Sequence, residues 1–155
     1  MGDNKTYYVK YLDVAKLLKN KMIEIKNPAT DSLVEYLGRT AISRAYEAVF
    51  LQVYYFIDKN LNTKYSDMKR LAKEYFTEKG IKISLNKHTV LGAYIAVNYG
   101  EFYGHVYEQL RKARNDVDYN VELQYVDKDL ILKEVDEYIK RAEIILEEVC
   151  RGENN

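Results

Sequence analysis

AYEAVFLQVYYFI, residues 45–57, is apolar on almost every side when wound as a helix. Glu47 and Gln52 are its strongly polar members, and the segment has no alternation of the kind that gives a strand one wet and one dry face. A helix of this kind must be covered from several directions, at the centre of a bundle or by a second subunit as well. It is too short and too interrupted to cross a bilayer, which requires about 20 predominantly apolar residues.

The pattern extends upstream on one face through Leu33, Leu37 and Ala41, with Thr30, Asp31 or Ser32 able to cap the helix start. One helix is therefore expected from there to about residue 58. Before it, Tyr11, Ala15, Leu18, Met22 and Ile25 recur at spacings of three and four, giving a one-faced helix over residues 8–26 that Asn27-Pro28 stops. After it, NLNT at 60–63 reads as a turn. Ser66 can cap a helix carrying Met68, Leu71, Ala72 and Tyr75, and Gly80 can end it. Residues 81–86 form a linker, and Asn86 can cap a helix through residue 97. Gly100 marks a break before residues 101–117, where Val106, Leu110, Ala113 and Val117 make a buried stripe. The last helix, 127–151, places Ile131, Val135, Tyr138, Ala142, Ile145 and Val149 on one face. The expected fold is an all-α, antiparallel up-and-down bundle of five or six helices.

The 155 residues suit a single domain, 1–155, with a core over about 8–151 and a polar tail at 152–155. One proline leaves little to interrupt helices. With 24 basic and 24 acidic residues the net charge is zero, so no global field recruits nucleic acid or an anionic membrane; any such binding needs a local patch. Cys150 is the only cysteine, which excludes an internal disulfide and a cysteine-built zinc site. Together with the lack of a signal-peptide pattern, this points to a cytoplasmic protein with no membrane span.

Motifs for several chemistries are missing. There is no phosphate-binding glycine loop, no HExxH pair, no nucleophile elbow and no di-iron carboxylate and histidine set, so neither a metal nor a cofactor is expected. His88, in the opening turn of a helix, and His105, among aromatics, have no Cys, Asp or Glu at ligand spacing; both read as solvated or core-edge residues. The sixteen tyrosines fall mostly at core spacings and read as core or interface rather than base-stacking platforms. LRKARNDVDYN, residues 110–120, is the densest polar cluster. On a helix Arg114 and Asp118 share a face, as do Arg111 and Asn115, and Asn115 and Tyr119, so the five polar groups form one ridge. Such a ridge is either a set of intrahelical pairs or a grip for a phosphate by a guanidinium at the edge of a buried stripe.

RTAISRAYEAVFLQV, residues 39–53, followed by LRKARNDVDYN and a long amphipathic helix, resembles the HEPN family (higher eukaryotes and prokaryotes nucleotide-binding) over about residues 36–150. SRAYEAVF is similar to the family's RAYYA-F helix, and ARNDVDYN to its RN...DY variant. The resemblance implies an α-helical bundle that dimerises, with a metal-independent ribonuclease site of Arg and His formed across the dimer. It also implies a toxin paired with a small nucleotidyltransferase antitoxin. Carried over, Arg114 is the motif arginine that binds phosphate, Asn115 orients it, and Asp118 with Tyr119 shapes the cleft. Arg44, Tyr46 and Glu47 of the second helix face the same site, with core packing an equal alternative for Tyr46. Tyr119 stands where some partner transferases attach AMP. The chain departs from the motif at the histidine: Asp118, Tyr119, Asn120 and Val121 fill the positions four to seven residues beyond Arg114. No group with an unperturbed pKa near neutrality lies there. The rival expectation is a non-catalytic dimeric interaction module in which Arg114 pairs with Asp118 or Glu47.

Overall fold

The computed structural model describes residues 4–26, 31–119 and 128–151. The described residues form an all-α bundle of six helices: α1 (Asn4–Glu24), α2 (Asp31–Asn60), α3 (Tyr65–Lys79), α4 (Lys87–Tyr99), α5 (Glu101–Tyr119) and α6 (Lys128–Val149). No strand occurs among the described residues. Neither does a helix long and apolar enough to cross a membrane, or a group of three or more metal-binding side chains.

Helix α2 is the axis of the bundle. Ala45, Tyr46, Ala48, Val49, Val53, Phe56 and Ile57 are all buried, and α1, α4, α5 and α6 of the same chain pack against the helix. The covering that residues 45–57 require is thus supplied largely within one chain. The stripes Val106, Leu110, Ala113, Val117 of α5 and Ile131, Val135, Ala142, Ile145, Val149 of α6 are buried as their spacing implies. Cutting Leu110 or Ile145 back to Ala would cost about 2–5 kcal/mol, because a filled core collapses only partly around a void.

Three local expectations are corrected by packing. Leu33 is 46% exposed, and Val34 takes the inward position one residue on, facing the core with Ala41 and Ile42. Tyr138 is only half-buried; Ile139 occupies the seam, where a side chain without a hydroxyl needs no hydrogen-bond partner. Ser66 lies inside α3, whose N-cap is Lys64 with no side-chain cap bond. The proposed cap at Thr30 and the Asn27-Pro28 stop lie outside the described residues. Gly80 closes α3 in the left-handed conformation, with φ 66°. Asn86 caps α4 in a reciprocal capping box with Thr89.

Helices α4 and α5 come close because Gly104 faces Ala96: a Cβ built on Gly104 would stand 2.5 Å from the Ala96 Cβ. Gly100, with φ 117°, turns the chain between the two helices. This tight hairpin carries the start of α4 to the middle of α5, opposite Tyr46 of α2.

Candidate functional site

Arg114 leaves α5 beside the buried Ala113 and extends over the face of Tyr46, with Cζ 5.5 Å from the ring centroid. The Tyr119 ring lies 5.6 Å from the same Cζ. A guanidinium between two aromatic faces keeps its planar donors while losing little entropy on binding an anion. Its local partners are on its own helix: Nη1 donates to Asn115 Oδ1 at 3.1 Å, and Nε stands 3.1 Å from Asp118 Oδ2. That second approach has ion-pair distance without hydrogen-bond alignment, so the buried Nε–H has no aligned acceptor. Ser43 of α2 donates to Asp118 Oδ2 at 3.1 Å, which ties the carboxylate to the neighbouring helix.

The second-helix candidates divide. Tyr46 joins Arg114 and is fully buried. Arg44 and Glu47 pair with one another instead, and Arg44 lies 6.0 Å from the Tyr11 ring of α1. Neither contacts Arg114 among the described residues, since one helical step past Ser43 turns the side chain toward α1. Within α5, Arg111 does not bond Asn115. It reaches back to Glu108, with Nε 3.1 Å from each carboxylate oxygen and Nη2 2.9 Å from Oε2. Tyr119 is 70% exposed, so its hydroxyl is open to a partner. Asn120 and Val121 lie outside the described residues.

His88, set aside on sequence grounds, belongs to this cluster. Its Nδ1 is 2.7 Å from the Tyr46 hydroxyl. The Tyr46 and Tyr107 hydroxyls are 2.9 Å apart, and Tyr107 donates to the His88 carbonyl at 2.8 Å. The imidazole stacks on Phe50 with centroids 4.2 Å apart. Burial, reinforced by the positive charges of Arg114 and then Arg111, lowers the His88 pKa below its usual 6.5. Burial raises Tyr46 to about 12, against the smaller opposing effects of the Tyr107 hydrogen bond and the same two arginines. Tyr107, fully buried, is raised well above 10 by burial first and by Tyr46 second. Both phenols are therefore neutral at physiological pH and act as hydrogen-bonding hydroxyls.

Nothing local in the sequence announces this group. His88 and Arg114 are far apart along the chain, and the fold brings both to one tyrosine, Tyr46. The other histidine, His105, lines a cleft of about 370 Å³ with Ile83, Ala96, Glu108 and Arg111. In total, α2, α4 and α5 contribute a phosphate-binding type of cation, a half-exposed imidazole and an aromatic surface to one junction. Comparison of the chain with protein-family models, with curated proteins and with solved structures finds no match.

Proposed function

We propose that the protein is of the HEPN type and binds or acts on RNA or a nucleotide through the α2, α4 and α5 junction. The observation that carries this reading is the Arg114 guanidinium held beside the Tyr46 and Tyr119 rings, its Cζ 5.5 and 5.6 Å from their centroids, with its buried Nε–H lacking an aligned acceptor. A chain with zero net charge thereby holds a planar cation beside aromatic faces, the local feature that an RNA strand or a nucleotide would need. Arg114 meets the phosphate, Asn115 holds the guanidinium in place, and Asp118 and Tyr119 bound the cleft. A second copy of the chain would set two such clefts together, and a small nucleotidyltransferase is the partner the reading implies. The exposed Tyr119 hydroxyl is then the acceptor for AMP.

The test is incubation of the purified protein with labelled structured RNA beside Arg114→Ala and Tyr119→Phe at matched concentration. Saturable binding or cleavage that Arg114→Ala loses while remaining folded supports the reading. Indifference of all three proteins to RNA and nucleotides removes it.

A second reading, a non-catalytic dimeric interaction module, draws on a different observation. The ion pair of Arg114 with Asp118, and the Ser43 bond to that carboxylate, join α5 to α2. In this case Arg114→Ala acts on stability or dimerisation and leaves no RNA binding to lose.

A further inference from the structure

Where α4 and α5 close on one another, their facing residues are small, and a hollow opens beside them. Gly92, Ala93 and Ala96 of α4 and Gly104 of α5 line the cleft of about 370 Å³. Its floor at the contact of Gly104 with Ala96 is backbone and methyl group, since a Cβ on Gly104 would already stand 2.5 Å from the Ala96 Cβ. Phe76 of α3, with Ile81 and Ile83 of the segment joining α3 to α4, supplies apolar walls. Ile81 is 47% exposed, so part of that wall has apolar surface left to bury. The volume lies within the range of about 300–1,000 Å³ usual for small-molecule sites, which combine apolar walls with a few convergent polar groups.

The polar groups of the rim differ in what they already hold. Glu101 accepts from the Tyr75 hydroxyl at 2.9 Å and pairs with Lys79 at 2.9 Å, which bridges α3 to α5 across one end of the cleft. Glu108 receives Arg111 on both oxygens, through Nε and Nη2. Both carboxylates of the rim are therefore taken. His105 is turned to Gln109, whose amide nitrogen lies 3.3 Å from Nε2. The far end of the α5 edge, eleven residues from Glu101 and so about 16 Å away along the helix, is different. There the exposed Lys112 ammonium has no hydrogen-bond or ion-pair partner among the described residues, and Arg111 beside it has Nη1 left over from its grip on Glu108. One end of the cleft thus offers cationic donors without acceptors, and the space leading away from it is apolar.

We propose that this cleft binds a small amphipathic carboxylate, its anionic head at Lys112 and Arg111 and its apolar tail lying over Gly104 and Ala96 toward Ile81. A monoanion suits the site better than a phosphate dianion, because Glu101 and Glu108 already place two negative charges on the rim. An amphiphile with a cationic head meets carboxylates that are already paired. The site goes beyond the RNA reading and does not depend on it: none of Arg114, Asn115, Asp118 and Tyr119 lines the cleft.

Octanoate is the probe, titrated into the full chain and followed by amide NMR. 1-Octanol and octylamine serve as its neutral and cationic counterparts, and acetate as the head alone. Saturable shifts centred on Ala93, Gly104 and Glu108 are expected for octanoate, with affinity falling about fourfold for each methylene removed from the tail. Lys112→Ala, at an exposed position, should weaken octanoate by about fivefold, the upper end for an exposed ion pair, and leave 1-octanol unaffected. Ile81→Ser should weaken octanoate and leave acetate unaffected, with the unliganded spectra of both variants showing an intact fold. Arg114→Ala should bind octanoate as wild type does, which separates this site from the RNA reading. 1-Octanol or octylamine binding as tightly as octanoate overturns the anionic head, and acetate binding as tightly overturns the apolar tail. Shifts that do not saturate, that centre outside the cleft, or that persist unchanged in Lys112→Ala overturn the site.

Discussion

The Arg114 guanidinium lies across the Tyr46 ring, 5.5 Å from Cζ to centroid, so a cation of α5 rests on a fully buried aromatic of α2. The hydroxyl of that same tyrosine joins His88 and Tyr107. Tyr46→Phe keeps the ring beneath Arg114 and removes only the bridge, leaving His88 Nδ1 without its hydrogen-bond partner. It should destabilise the protein by about 1–3 kcal/mol, the cost of a buried polar group left unpaired. Urea denaturation of the two proteins measures this, and a change below about 0.5 kcal/mol would mean that the hydrogen bonds joining Tyr46 to His88 and Tyr107 do not form.

Acid should weaken the fold through His88. Its native pKa lies below the usual 6.5, so the unfolded chain takes up this proton first on acidification. The stabilisation from a neutral His88 is complete above about pH 6.5, the ordinary histidine value, and is lost as pH falls through the native pKa. Denaturation midpoints of wild type should drop over that interval more than those of His88→Asn. Parallel curves for the two proteins would contradict the assignment.

At the alkaline end the sign reverses. Tyr46 is raised from 10.0 to about 12, so the folded state retains its proton where the unfolded chain has lost it. Its contribution is intact below pH 10 and disappears as pH rises through about 12. Phenolate absorbance of wild type should show a late-titrating tyrosine that is missing from Tyr46→Phe.

Gly104→Ala tests the contact that brings α4 to α5. The added Cβ would meet the Ala96 Cβ at 2.5 Å and its Cα at 3.0 Å, and backbone cannot swing aside as a long side chain can. Overpacking of about 1–3 kcal/mol should outweigh the gain of about 1 kcal/mol in helix propensity. A lower thermal midpoint and a disturbed His88 resonance are expected together; an unchanged midpoint would show that the hairpin is looser than described.

The helices were legible in the sequence because a 3.6-residue period in Val106, Leu110, Ala113 and Val117, or in Ile131, Val135 and Ala142, leaves one stable solution: a buried face. Errors arose where two adjacent apolar residues compete for one seam, as with Leu33 against Val34 and Tyr138 against Ile139. Volume and hydroxyl satisfaction decide such cases, and period does not. The pairing of Arg114 with Asp118 was legible too, since helical spacing dictates it. Arg111 shares a face with Asn115 as the spacing implies, but bonds to Glu108 one turn earlier, because a carboxylate attracts a guanidinium more strongly than an amide does. His88 was invisible because its partners, Tyr46 and Tyr107, lie on two other helices, and no local spacing encodes a tertiary circuit.

The central claim is that Arg114 makes a phosphate contact with RNA, and the dependence of RNA affinity on salt tests it most directly. Wild type and Arg114→Ala are titrated with the same single-stranded RNA across a range of salt concentrations, with thermal melts confirming that both are folded. Each phosphate contact on a single strand steepens the slope of log affinity against log salt by about 0.7. The account predicts that Arg114→Ala binds more weakly and with a slope shallower by about that amount. Identical affinities and slopes, or a wild type that does not bind RNA, would contradict it.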